Sequence, residues 1–144
     1  MDGISQAKSE LAAVGPERFT ARDYRRGAVK HIVLFRFKPQ VTAEQAHDVV
    51  RRFLDLSSTP REDGNPYIVS IAGGAQISSE EGNHEFEYGF IVEFSSLGDR
   101  NYYLGRPIVT DERFYDSRHD DFKVFVGPLL RDGADGVLVF DFQG

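Results

Sequence analysis

Cysteine and tryptophan are absent from the 144 residues, and methionine occurs once. Without cysteine there is no disulfide, no thiol nucleophile and no thiolate metal ligand. No apolar run reaches the length that crosses a bilayer. The opening Met1-Asp2-Gly3-Ile4-Ser5-Gln6-Ala7-Lys8 has neither the basic nor the apolar stretch of a secretory signal. A basic surplus is missing too: 17 Lys and Arg against 23 Asp and Glu leave a net charge of −6. That balance counts against nucleic acid or an anionic membrane surface as partner. There is no phosphate-cradling glycine loop, no serine nucleophile elbow and no His-x-x-x-His pair. The four histidines do not have the spacing of a metal site. These absences leave one cytoplasmic domain, expected to work without metal or cofactor.

What is abundant is aromatic: 12 Phe and 6 Tyr, within an apolar fraction of 40%. They concentrate in strand-like stretches, the first being Val29-Lys30-His31-Ile32-Val33-Leu34-Phe35-Arg36-Phe37-Lys38. β-Branched and aromatic residues dominate it, and neither Gly nor Pro interrupts it. Alternation puts His31, Val33, Phe35 and Phe37 on one face and Ile32, Leu34, Arg36 and Lys38 on the other. The first face is apolar except for a histidine at its end.

Residues 1–27 read as a polar N-terminal extension ahead of a domain over 28–144. Gly15-Pro16 breaks it, and a surface arm is the expected form, with at most a short helix over Ser5 to Val14. After the first strand, Thr42 and Gln45 fit a capping box. Ala46, Val49, Val50, Phe53 and Leu54 follow at helical spacing. Tyr67 to Ile71 reads as a second strand, with Gly73-Gly74 as a bulge or turn. Glu85 to Ser95 is the third, its alternation the cleanest in the chain. Ser96 opens a short helix that Gly105 and Pro107 stop. Ile108 to Arg118 reads as a polar connection. Phe122, Phe125, Val126 and Leu129 stripe a last helix, which Gly127-Pro128 should kink. Val137 to Phe142 closes the chain as a fourth strand.

The order β-α-β-β-α-β is the split βαβ of an α+β, ferredoxin-like protomer with a four-stranded antiparallel sheet. Helices on one face leave the other bare, and neither face of these strands is polar enough for water. A second copy of the chain would cover it, making a homodimeric α/β barrel.

Polar groups at positions patterned as buried are the candidates for chemistry. His119 lies three residues before Phe122, on the apolar stripe. Asp141 alternates with Val137 and Val139, and a carboxylate beside an imidazole orients it as a base. His31 adds a second imidazole, and Tyr88 and Tyr103 add phenols. The plain alternative is that each is hydrogen-bonded in a core. His47 and His84 fall on a polar helix face and in an acidic loop, and carry no role.

With these residues in view, the chain resembles the stress-responsive dimeric α/β-barrel (Dabb) family over about residues 28 to 142. The likeness rests on the Val29–Lys38 strand and on Val92-Glu93-Phe94-Ser95-Ser96 running into Tyr103. His119-Asp120-Asp121-Phe122 and Val139-Phe140-Asp141-Phe142 complete it. The resemblance implies a ferredoxin-like homodimer whose cavity takes a small, partly apolar or aromatic molecule. Some members are stress-associated proteins without established activity, and a plant member is a cofactor-free polyketide cyclase. By that pattern His119 is the general base, Tyr103 polarises the substrate carbonyl, and His31 and Asp141 join them. Asp141 is expected to orient His119. Tyr88, Phe35, Tyr115 and Phe122 are the expected substrate-binding residues. An insertion, Asp111-Glu112-Arg113-Phe114-Tyr115, separates Tyr103 from His119 and sets Tyr115 as a rival for the tyrosine's place. The leading expectation is cofactor-free lyase or cyclase chemistry. Its rivals are a non-enzymatic stress-associated dimer and, third, a cofactor-free monooxygenase-like barrel.

Overall fold

The computed structural model describes residues 2–144. The helices are α1 (Gly3–Phe19), α2 (Ala43–Asp55), α3 (Leu97–Leu104) and α4 (Ser117–Val126). The strands are β1 (Arg26–Phe35), β2 (Ile68–Ala75), β3 (Tyr88–Ser96) and β4 (Val137–Gln143). They form one antiparallel sheet in the order β2-β3-β1-β4. This is the expected ferredoxin-like arrangement, with β1 and β3 central and β2 and β4 at the edges.

Local chemistry explains the helix starts. Thr42 and Gln45 make the capping box, each side chain meeting the other's backbone N–H. Ser96 accepts from the Asp99 N–H to open α3, and Gly105, at φ 57°, takes the left-handed turn that closes it. Asp116 accepts from the His119 N–H at 3.0 Å to open α4. That cap sets His119 on the first turn, facing inward.

The core lies between the sheet and the helices. Val29, Val33 and Phe35 of β1 and Phe90, Val92 and Phe94 of β3 meet Val49 and Phe53 of α2 and Phe122 and Val126 of α4. Phe53 stacks on Phe90 at 4.2 Å, and Phe35 and Phe122 pack against the same ring. Each such side chain contributes about 1.5–3 kcal/mol by burial. Gly73-Gly74 is no turn. Both lie within β2, opposite Phe90 and Gly89, and a Cβ on Gly73 would stand 2.3 Å from the Phe90 ring. The bulge falls earlier, between Ile68 and Ser70. α4 likewise ends where Gly127-Pro128 begins, passing into a 3-10 turn over Gly127–Leu129.

The opposite face of the sheet carries Ile91, Leu138, Phe140 and Phe142, all at least 43% exposed, with Phe140 at 59%. It is the bare apolar face that the strand patterns foretell.

The leading residues are no loose arm. α1 is two helical pieces joined at Gly15, whose φ of 82° and ψ of 164° break the helix before Pro16. Phe19 and Tyr24 then build a second small core with Val109 and Tyr115. The polar-looking 108–118 connection thus contributes two of its four members. The buried Arg61 guanidinium donates to the Thr20 carbonyl at 2.8 Å and to Asp99 at 3.1 Å. Asn101 donates to the Phe19 carbonyl at 2.9 Å. These bonds hold the end of α1 against α3.

Candidate functional site

β1 and β4 place His31 and Asp141 directly opposite each other. His31 Nδ1 and the Asp141 carboxylate are 2.6 Å apart. Burial by itself would raise the Asp141 pKa, but the His31 and Arg100 hydrogen bonds and charges outweigh it and hold the group below the usual carboxylate range. An ionised carboxylate only accepts, so Nδ1–H donates to it, and in the neutral ring that leaves the lone pair on Nε2. Arg100 of α3 donates to the other carboxylate oxygen at 2.9 Å. Arg100 was not among the sequence candidates. Its signal was its place three residues before Tyr103, on the same face of α3.

Tyr103 lies on the far side of His31, ring centroids 5.6 Å apart, and stacks on His119 at 3.7 Å. The insertion therefore does not keep Tyr103 from His119. Its chain loops outward and returns through the Asp116 N–H, which donates to the Tyr102 carbonyl at 3.0 Å. His119 Nδ1 sits 2.6 Å from the Tyr103 carbonyl oxygen. A carbonyl only accepts, so Nδ1 carries the proton here as well. Burial pushes the His119 pKa down to about 3, so its imidazole is neutral near pH 7. The Tyr103 hydroxyl is fully buried and has no hydrogen-bond partner. Burial pushes its pKa up, with the Asp116 and Asp141 charges adding to that. The structure thus brings together His31, Asp141, Tyr103 and His119.

The structure places the other candidates differently from what the sequence pattern implies. Asp141 orients His31 and not His119, because the cross-strand pairing puts it beside β1 while a backbone carbonyl takes the His119 Nδ1 proton. Tyr115 neither replaces Tyr103 nor lids the site: it packs with Phe19, Tyr24 and Val109. Phe35 and Phe122 are core residues around Phe53. Tyr88, opposite Phe35, lies four strand residues from the His31 level, about 13 Å away. There it meets Phe37 and borders a different cleft.

A cavity of about 690 Å³ opens between α1, α3 and β4. Its wall includes Asp141 and Arg100 but none of His31, Tyr103 and His119. The hydrogen-bonded chain from Arg100 through Asp141 to His31 therefore runs from the cavity wall into the buried rings. An orienting carboxylate, an imidazole with a free Nε2 and a phenol without a partner can together accept and return a proton. Among the described residues, no group of His, Asp and Glu stands ready to hold a metal ion. Among the same described residues, no helix is long and apolar enough to cross a membrane.

Solved structures share this fold at low identity. A protein of Arabidopsis thaliana is 23% identical, covering 81% of this chain and 94% of its own, with a TM-score of 0.60. A dimeric ferredoxin-like protein of unknown function from Thermobifida fusca is 20% identical, covering 85% and 96%, at 0.60. The hydroxynitrile lyase of Passiflora edulis is 17% identical, covering 83% and 94%, at 0.61. No curated protein matches the chain. Residues 29–143, a span that includes His31, Tyr103, His119 and Asp141, match the stress responsive A/B barrel domain, and the chain belongs to that family.

Proposed function

We propose that the chain forms a homodimeric barrel that binds a small, partly apolar molecule and acts on it by cofactor-free proton transfer of the lyase or cyclase kind. One observation carries this reading: the Arg100–Asp141–His31 chain leads from the wall of a roomy cavity to a buried imidazole beside the Tyr103 ring, 5.6 Å between centroids. His31 Nε2 is the proton acceptor. The Asp141 carboxylate holds the ring in its Nδ1–H tautomer and balances the charge that a proton at Nε2 brings. Tyr103 is the hydrogen-bond donor for an oxygen that gains charge as the proton leaves. His119, neutral and stacked on Tyr103, fixes that ring. This departs from the family-based assignment of the base to His119, whose depressed pKa suits it poorly to accept a proton near pH 7. The dimer is supported by the bare apolar sheet face and by dimeric proteins among the structures of this fold. The lyase chemistry is supported by the Passiflora edulis enzyme of the same fold.

A second reading, a stress-associated dimer without activity, draws on the deep burial of His119 and Tyr103, which are 6% and 1% exposed. Cyanide release from an aromatic hydroxynitrile distinguishes the two. Turnover by the wild-type protein, cut at least tenfold in His31→Gln at an unchanged melting temperature, is the expected result. An inert wild type, or a His31→Gln variant as fast as its parent, leaves the non-enzymatic reading.

A further inference from the structure

The cavity has a wall that the family domain does not supply. Residues 29–143 contribute α3 and β4, while Ile4, Ala7 and Glu10 of α1 close the opposite side. Leu104, Ile108 and Val139 complete a mainly apolar lining. β4 is an edge strand, and Val139 remains 54% exposed. α1 stands off from it far enough to leave a void of about 690 Å³.

The one guanidinium on this wall and two of its three carboxylates are already ion-paired. Arg100 pairs with Asp141 at 2.9 Å. Glu10 pairs with Arg25 at 3.0 Å and accepts from the Tyr24 hydroxyl. Asp2 accepts from the Ser5 N–H to cap α1. An anionic ligand would lose its hydration here and find no free counter-charge, a steep cost in an apolar cavity. A neutral polar group has partners: three of the five guanidinium N–H groups of Arg100 are engaged, by Asp141 and Asn101. The rest can donate, and the Asp141 carboxylate can accept further bonds.

We infer that α1 is a specificity element: with α3 and β4 it forms a binding site for an uncharged molecule with an apolar body and one terminal hydroxyl or carbonyl, which docks on the Arg100–Asp141 pair. The apolar body lies along Ile4, Ala7 and Val139. The inference rests on the proton-transfer reading for its interest, since the polar end would stand beside His31, but not for its test.

Calorimetric titration of the full chain with 4-phenylphenol and with biphenyl-4-carboxylate, two probes sharing one body, measures the preference. The phenol is expected to bind, and the carboxylate at least tenfold more weakly. Two α1 variants test the wall. Ala7→Trp fills the void. Ile4→Asp suits the first turn of a helix, so α1 stays folded, and it puts an unpaired charge beside the ligand. Each is expected to weaken phenol binding at least tenfold at an unchanged melting temperature, and if Ala7→Trp disturbs the fold, Ile4→Asp decides. Equal affinity for both probes, no binding of either, or wild-type affinity in the α1 variants overturns the inference and leaves proton transfer at His31 untouched. Loss of phenol in the α1 variants with full turnover in His31→Gln does the reverse.

Discussion

His119 is a neutral imidazole in a core, and its environment makes a definite prediction about acid. Its pKa is near 3 in the folded protein and near 6.5 in an unfolded chain. Between those values the unfolded chain binds the extra proton, so stability rises with pH there. It is complete above about pH 6.5 and is lost as pH falls toward 3. From pH 7 to pH 5 this one group removes about 2 kcal/mol. Urea unfolding at the two pH values should show wild type losing about that much more than His119→Gln. Equal losses would show that His119 is not held neutral. Tyr103 makes a second prediction. A buried hydroxyl without a partner costs about 1–3 kcal/mol, and this one has none among the described residues. Tyr103→Phe is therefore expected to gain about 1 kcal/mol in urea unfolding while losing the proposed activity. A variant less stable than wild type would mean that the hydroxyl is satisfied in the resting protein. These two residues were legible in sequence as polar groups on apolar faces. Which of their atoms were engaged was not, because the partner comes from another element: the carbonyl of residue 103 on α3 takes the His119 Nδ1 proton.

At the scale of elements, α2 and the four strands follow from short-range pattern. The capping box and the alternation of β1 and β3 each specify a local conformation and the face it buries. α1 was harder to read because its own pattern is weak. Most of it is exposed, with Phe19 its one fully buried residue. Its place depends on Arg61, Asp99 and Asn101, which are distant in the chain. Close backbone approach is part of that docking: a Cβ on Gly98 would lie 1.8 Å from the Ala21 carbonyl oxygen. Backbone cannot yield as a side chain can, so Gly98→Ala should cost more than about 2 kcal/mol. Gly74→Ala, with nothing within 4 Å of the added carbon, is the control and should stay within about 1 kcal/mol. Chemical denaturation of both variants measures this, and a wild-type Gly98→Ala would detach α1 from the fold's stability.

For the whole molecule, the outer face of the sheet sets the question of assembly. Ile91, Leu138, Phe140 and Phe142 form an apolar patch on it, and such a patch is costly in water. Phe140→Lys introduces a charge at its centre without touching the helix-side core. Sedimentation velocity should find the wild type as a dimer of about twice its 16.2 kDa mass and Phe140→Lys as a monomer. A monomeric wild type would leave the sheet face uncovered and exclude the barrel.

By itself the sequence determined the order of elements, the two-faced strands and the family, because hydrophobic period, caps and turns act over a few residues. It also marked His31, Tyr103, His119 and Asp141 as polar groups at buried positions. Only the tertiary structure decided which of them pair. Strand register put Asp141 on His31, and the docking of α3 against α4 gave the His119 proton to a carbonyl. The fold of residues 2–27 against a distant arginine made one wall of the cavity. Those outcomes depend on contacts between residues tens of positions apart, and no local pattern encodes them.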